Sequence, residues 1–118
     1  MVTHEQIKNG VNNYVNSEII AKMQLSPNSI KRGLMVTGIN LWISHNVETM
    51  LSASSGASSL GIVDENGHYD IDKVAKEFKK TIPERGYNID LGLSGFKFGS
   101  ITIYGEDIDL LANYIERA

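Results

Sequence analysis

The side chains that could carry out chemistry are few and far apart in the chain. No two of the histidines His4, His45 and His68 have the three- or four-residue spacing that places two metal ligands on one helix face. Ser44 and Ser94 could act as nucleophiles, but neither lies in a G-x-S-x-G turn, and the chain contains no cysteine. We therefore expect no metal site and no enzyme, and a small hydrolase that pairs Ser, Asp or Glu with a histidine is the least favoured alternative.

The acidic run Asp64–Asp70 has the composition of a calcium loop. With Gly67 at the sixth position of an EF-hand loop, the first and twelfth positions fall on Ile62 and Lys73, where carboxylates are required. The run instead predicts a tight hairpin centred on Asn66-Gly67, which feeds a capped helix. The chain also lacks the glycine patterns of dinucleotide and phosphate loops, so we expect no cofactor.

One group of residues could bind a small anion. It combines two bases early in a long helix with aromatic groups further along that helix and with a small polar loop after it, and it would form a pocket between subunits. The candidate residues are Lys31, Arg32, Trp42, His45, Ser55 and Gly56. An exposed Lys-Arg pair beside a core tryptophan explains the same residues without a ligand.

Two helices are predicted in the first half of the chain. Thr3 and Gln6 have the spacing of a capping box, so the first helix should begin near His4. Its apolar residues recur at three- and four-residue steps and form one stripe. These residues are Ile7, Val11, Tyr14, Val15, Ile19 and Met23. Ser26-Pro27 should start the second helix, which is expected to run to about Ser55.

The second helix is apolar on several sides, and a helix of this kind must be covered on several sides. A chain of 118 residues has only one other long helix to offer, so the sequence predicts a homo-oligomer. The expected contact residues are Leu34, Met35, Gly38, Leu41 and Trp42.

The second half of the chain changes to short strands and short helices. Asp70 should cap a helix over Ile71–Ile82, a bulge near Gly99 should interrupt the strands that follow, and a last helix should reach Arg117. An echo between DIDKVAKEF and DIDLLANYI indicates either similar helix starts or a duplicated unit. The expected fold is α+β in a single domain 1–118, with a helical half (1–56) and an α+β half (60–118).

The charge and the hydropathy of the chain disfavour two classes of partner, nucleic acids and membranes. Eleven Lys and Arg against fourteen Asp and Glu give a net charge of -3, which disfavours general nucleic-acid binding. The longest apolar runs are too short to span a bilayer, so we expect no membrane association and a cytoplasmic location.

The stretch 60–118 resembles a group of short proteins encoded by phages and prophages of Gram-positive bacteria. The resemblance lies in LGIVDENG, in the DID that follows it, and in the second DID with YI near the end of the chain. It implies a viral protein in the host cytoplasm, but it carries over no catalytic residue. The leading hypothesis is a non-enzymatic accessory protein, with an anti-defence role as one form of it. Such a protein would bind a host protein or sequester a small anionic nucleotide signal at an oligomer interface. A structural or morphogenesis component of the phage particle is the alternative.

Overall fold

A computed structural model describes residues 1–23, 30–52, 61–93 and 95–118. The fold is α+β, as predicted. In chain order the elements are α1 (His4–Tyr14), a π-helical segment (Val15–Ile19), α2 (Ile20–Met23), α3 (Ile30–Ser52), α4 (Ile71–Lys79), β1 (Tyr87–Leu93), β2 (Phe96–Ile103) and α5 (Gly105–Arg117). The predicted start of α3 at Ser26-Pro27 and its predicted end near Ser55 lie outside the described residues.

The start of α1 follows the prediction only in part. The Thr3 side chain accepts a hydrogen bond from the Gln6 N–H at 3.0 Å, so Thr3 is the N-cap. The Gln6 amide does not reach back to Thr3 as a capping box requires. It donates instead to the main-chain carbonyls of Ile115 and Glu116, both at 3.2 Å. This corrects the prediction, because the amide bonds two carbonyls in the last turn of α5 instead of the Thr3 N–H group.

Helix α1 packs closely against α5. A Cβ atom at Gly10 would lie 2.4 Å from Ile115 Cα, so only glycine allows the two backbones this approach. The predicted apolar stripe faces the core, since Ile7, Val11, Tyr14, Val15 and Ile19 are all buried. The core therefore joins the two halves of the chain.

Helix α3 contributes a buried row in which every fourth residue faces the core. The row consists of Met35, Ile39, Ile43, Val47 and Leu51. It contacts α1, α4 and both strands. One face of α3 is thus covered by the chain itself.

The loop before α4 is held by hydrogen bonds to the Asp64 carboxylate, and it differs from the predicted two-residue turn at Asn66-Gly67. Gly67 N–H donates to the Asp64 carbonyl at 3.1 Å, so the turn spans 64–67 with Gly67 at its last position, where φ is +75°. The Asp64 side chain accepts from the Asn66 and His68 N–H groups at 2.9 and 2.8 Å. Asn66-Gly67 is therefore not the centre of the turn, although a single bridge between Val63 and Tyr69 closes the hairpin.

The cap of α4 is confirmed, but the end of α4 is not. Asp70 accepts from the N–H groups of Asp72 and Lys73 at 3.1 and 3.3 Å. The helix ends at Lys79 rather than Ile82, because the chain then tightens into turns in which each N–H bonds the carbonyl three residues earlier.

Strands β1 and β2 form a two-stranded antiparallel sheet. Leu91 pairs with Gly99 and Gly92 pairs with Lys97, so Phe98 is the extra residue on β2. This confirms the predicted bulge near Gly99.

The two echoed segments occupy different helix positions. Asp70 is the N-cap of α4, whereas Asp107 is the third residue of α5 and accepts from the Tyr104 N–H at 2.7 Å. The echo therefore reflects similar acidic helix starts and does not align the two helices.

Candidate functional site

The outward face of α3 carries large apolar side chains. Ile30 is 83% exposed, Leu34 is 41% exposed and Leu41 is 66% exposed. Together with the exposed Thr37 they follow steps of four, three and four residues, which place them within about 60° of one another on a helix of 3.6 residues per turn. We call Ile30, Leu34, Thr37 and Leu41 the α3 stripe. It lies opposite the buried Ile39.

From Gly33 onward, the segment of α3 that carries most of the stripe contains no full charge. Residues 33–47 include no Asp, Glu, Lys or Arg, although 21% of the whole chain is charged. Isolated apolar side chains are common on protein surfaces, but a contiguous apolar strip is typical of an interaction site. The stripe is therefore the strongest candidate for a functional surface in the described part of the chain.

Gly33 adds an independent observation beside the stripe. A Cβ atom at Gly33 would meet nothing within 4 Å, so packing within the chain does not require glycine there. Glycine in a helix costs about 1 kcal/mol relative to alanine. Gly38 is different, because a Cβ atom there would lie 2.9 Å from Leu91 Cδ2 and β1 already explains it.

The structure divides the predicted interface residues into two sets. Leu34 and Leu41 lie on the exposed stripe. Met35 is only 2% exposed and faces Gly99, which corrects its expected place in an interface. Gly38 faces β1 in the same way.

Trp42 also contacts its own chain. Its ring lies 6.1 Å from the ring of Phe78 and 5.4 Å from that of Tyr87, measured between centroids. Ile30 was not among the predicted interface residues, although its spacing to Leu34 and Leu41 places it on the same helix face.

The anion pocket was predicted to lie between subunits, and its described members do not come together within one chain. Trp42 is half-buried and His45 is exposed, while Arg32 lies 13 residues before His45. At 1.5 Å per residue this separation is about 20 Å along the helix, so Arg32 and His45 of one copy cannot line one small pocket. Ser55, Gly56 and the side chain of Lys31 lie outside the described residues.

A polar contact joins the π-helical segment to α5. The Tyr114 hydroxyl donates to Glu18 Oε1 at 2.7 Å, and its ring packs edge-on against Tyr14. The hydrogen bond to Glu18 raises the pKa of Tyr114, and burial raises the pKa of Tyr14. Arg117 lies over the Tyr114 ring at 5.0 Å. These contacts hold two elements of the chain together, and a shallow hollow of about 370 Å³ lies beside them.

A second hollow, of about 360 Å³, separates α4 from α5. Its floor contains Ala75 and Ala112, and side chains of both charges form its walls. Lys79 and Asp109 pair across it at 3.0 Å. The mixed charge favours no class of ligand.

The His4 ring donates a hydrogen bond from Nε2 to Glu48 Oε1 at 2.6 Å, and both side chains are about half exposed. The described ranges contain no group of three or more His, Cys, Asp or Glu residues that could hold a metal ion. No helix among the described residues is long and apolar enough to cross a bilayer.

Comparison with protein-family models, with curated proteins and with solved structures finds no match to this chain.

Proposed function

We propose that this chain is a non-enzymatic phage accessory protein that acts by binding, and that the α3 stripe assembles it into a homo-oligomer. The observation that carries the assembly is the continuous exposure of Ile30, Leu34 and Leu41 on one helix face. The phage assignment is supported by the resemblance of residues 60–118.

The size of the stripe determines how strong the assembly should be. The exposed fractions of Ile30, Leu34 and Leu41 together amount to about two whole aliphatic side chains per copy. Burying them on two copies contributes about 6–12 kcal/mol, at about 1.5–3 kcal/mol for each side chain. Association costs about 4–15 kcal/mol in lost freedom of motion. The assembly should therefore be of moderate strength and should depend on protein concentration.

The other forms of the hypothesis differ in what covers the stripe. A host protein or a neighbouring subunit of a phage particle would cover it with a different chain. A sequestered nucleotide would need residues from two copies, because one copy separates Arg32 from His45 by about 20 Å. A second copy of the chain is favoured because its own stripe residues are all uncharged, so pairing two stripes takes no charged stripe residue out of water.

Two copies with different affinity tags, expressed together, test this proposal. Capture of one tag should recover the other copy from the natural protein. The double variant Leu34→Glu/Leu41→Glu should lose this recovery, because each partner would bury two charges. The matched control Asn9→Glu/Asn113→Glu adds the same charges at exposed positions away from α3 and should keep it.

Failure of the natural pair to recover one another would overturn the homo-oligomer. Recovery that survives the α3 double variant would overturn the assignment of the interface to α3. Detection of the chain in purified phage particles would support the structural alternative instead of an accessory role.

A further inference from the structure

The direction in which two α3 helices pair follows from the charges and the spacing of α3, and it rests on the homo-oligomer proposed above. We infer that two copies of α3 pair antiparallel and form a closed dimer. Their two-fold axis crosses the α3 stripe at its middle, at the level along the helix between positions 35 and 36.

Symmetry gives the residue pairs. A two-fold axis at the centre of a stripe that runs from Ile30 to Leu41 places Ile30 opposite the partner's Leu41. The same axis places Leu34 opposite the partner's Thr37. Every stripe residue then contacts a stripe residue of the partner, and no large apolar side chain of either stripe stays exposed to water. An axis nearer either end of the stripe would leave one large apolar side chain exposed on each copy.

Charge at the two ends of α3 selects the antiparallel direction. The first turn of α3 contains Lys31 and Arg32, and the last turns contain Glu48. A parallel pair would set the two basic turns side by side, the two Glu48 residues side by side, and the helix dipoles in the same direction. The antiparallel pair places each basic turn opposite the uncharged Ile39–Asn40 segment of the other copy, so it avoids all three repulsions.

The exposed glycine fits the same arrangement. Gly33 lies one turn from Thr37 at the edge of the stripe, near the axis, and a Cβ atom there would meet only open space in its own chain. Small residues at such a place let two helix backbones approach closely. Close approach of the two helices in the dimer thus explains why α3 keeps a helix-destabilising glycine at position 33, which packing within the single chain does not require.

A two-fold pair uses the same surface on both copies and leaves none of it free for a third. The assembly should therefore stop at two copies. This closure favours an accessory protein over a component of an extended particle.

Disulfide crosslinking tests the arrangement, because the natural chain contains no cysteine. A disulfide needs Cα atoms within about 7 Å. In the antiparallel pair the two copies of position 30 lie eleven residues apart along the axis, which is about 16 Å. Ile30→Cys mixed with Leu41→Cys should therefore give a mixed crosslinked dimer under mild oxidation, whereas either variant alone should give none above the level of an Asn9→Cys control.

The outcomes separate this inference from the proposed function. Self-crosslinking of Ile30→Cys alone and of Leu41→Cys alone would show a parallel pair and overturn the arrangement while leaving the homo-oligomer in place. The absence of a mixed crosslink in a preparation that is dimeric by light scattering would overturn it too. A natural protein that stays monomeric would overturn the proposed function itself. If the two variants do not dimerise under reducing conditions, the protein concentration is raised until light scattering shows a dimer, and the same criterion then applies.

Discussion

Replacing Leu41 by alanine should weaken self-association while leaving the fold of the single chain intact. Leu41 is 66% exposed in one copy, so its side chain contributes little to folding and much to a dimer. Two-thirds of a leucine burial is about 1–2 kcal/mol, which makes about 2–4 kcal/mol for the two copies. At about 1.4 kcal/mol for each factor of ten, the dissociation constant should rise roughly 30- to 700-fold.

Sedimentation equilibrium over a range of concentrations measures this change, and thermal unfolding of dilute protein measures the fold. The matched control is Met35→Ala on the buried side of the same helix. Met35 is buried in its own chain, so this variant should lose about 2–5 kcal/mol of folding free energy. A Leu41→Ala dissociation constant equal to that of the natural protein would show that Leu41 lies outside the interface. Unfolding of dilute Leu41→Ala at the temperature of Met35→Ala would show that Leu41 supports the fold of the single chain instead.

Three further predictions concern the fold of the single chain. Gly10→Ala should destabilise it by about 1–3 kcal/mol in chemical unfolding, because the new Cβ would meet the backbone of Ile115. Gly33→Ala should instead stabilise the dilute monomer by up to about 1 kcal/mol. Equal effects of the two substitutions would contradict the close approach of α1 and α5. Asp70→Ala should cost about 1 kcal/mol through the lost N-cap, and an unchanged unfolding midpoint would contradict that role. Burial raises the pKa of Tyr14 above its ordinary value, so its contribution to stability is complete below about pH 10 and is lost as the pH rises from there towards the folded-state pKa. Tyr14→Phe should flatten the fall of unfolding free energy above pH 10 relative to the natural protein, and parallel curves would contradict a buried phenol.

The parts of the fold that depend on a few neighbouring residues could be predicted from the sequence. Thr3 and Asp70 cap their helices because each bonds an N–H only two or three residues ahead. The bulge on β2 followed from apolar residues that lie at the even positions 96 and 98 and then at the odd positions 101 and 103. A regular strand cannot place both sets on one face. Long-range contacts could not be predicted in this way. The Gln6 amide bonds carbonyls more than a hundred residues away, and nothing local distinguishes that choice from a capping box.

The candidate site was predicted in kind but not in detail. The sequence showed that α3 is apolar on several sides, and Leu34 and Met35 looked equivalent. They are adjacent in the chain and differ by about 100° around the helix, so the positions of the sheet and of α4 decide which one is exposed. For the same reason, the contacts of Trp42 with Phe78 and Tyr87 of its own chain could not be predicted from the sequence.

Light scattering of the natural protein from micromolar to high micromolar concentration gives its molar mass in solution, and this mass shows whether the chain pairs with a second copy. If a second copy covers the apolar face of α3, the mass should rise from near the 13.0 kDa of one chain to twice that value and stop there. A mass that stays at one chain over the whole range would show that Ile30, Leu34 and Leu41 remain in water, and it would contradict the account.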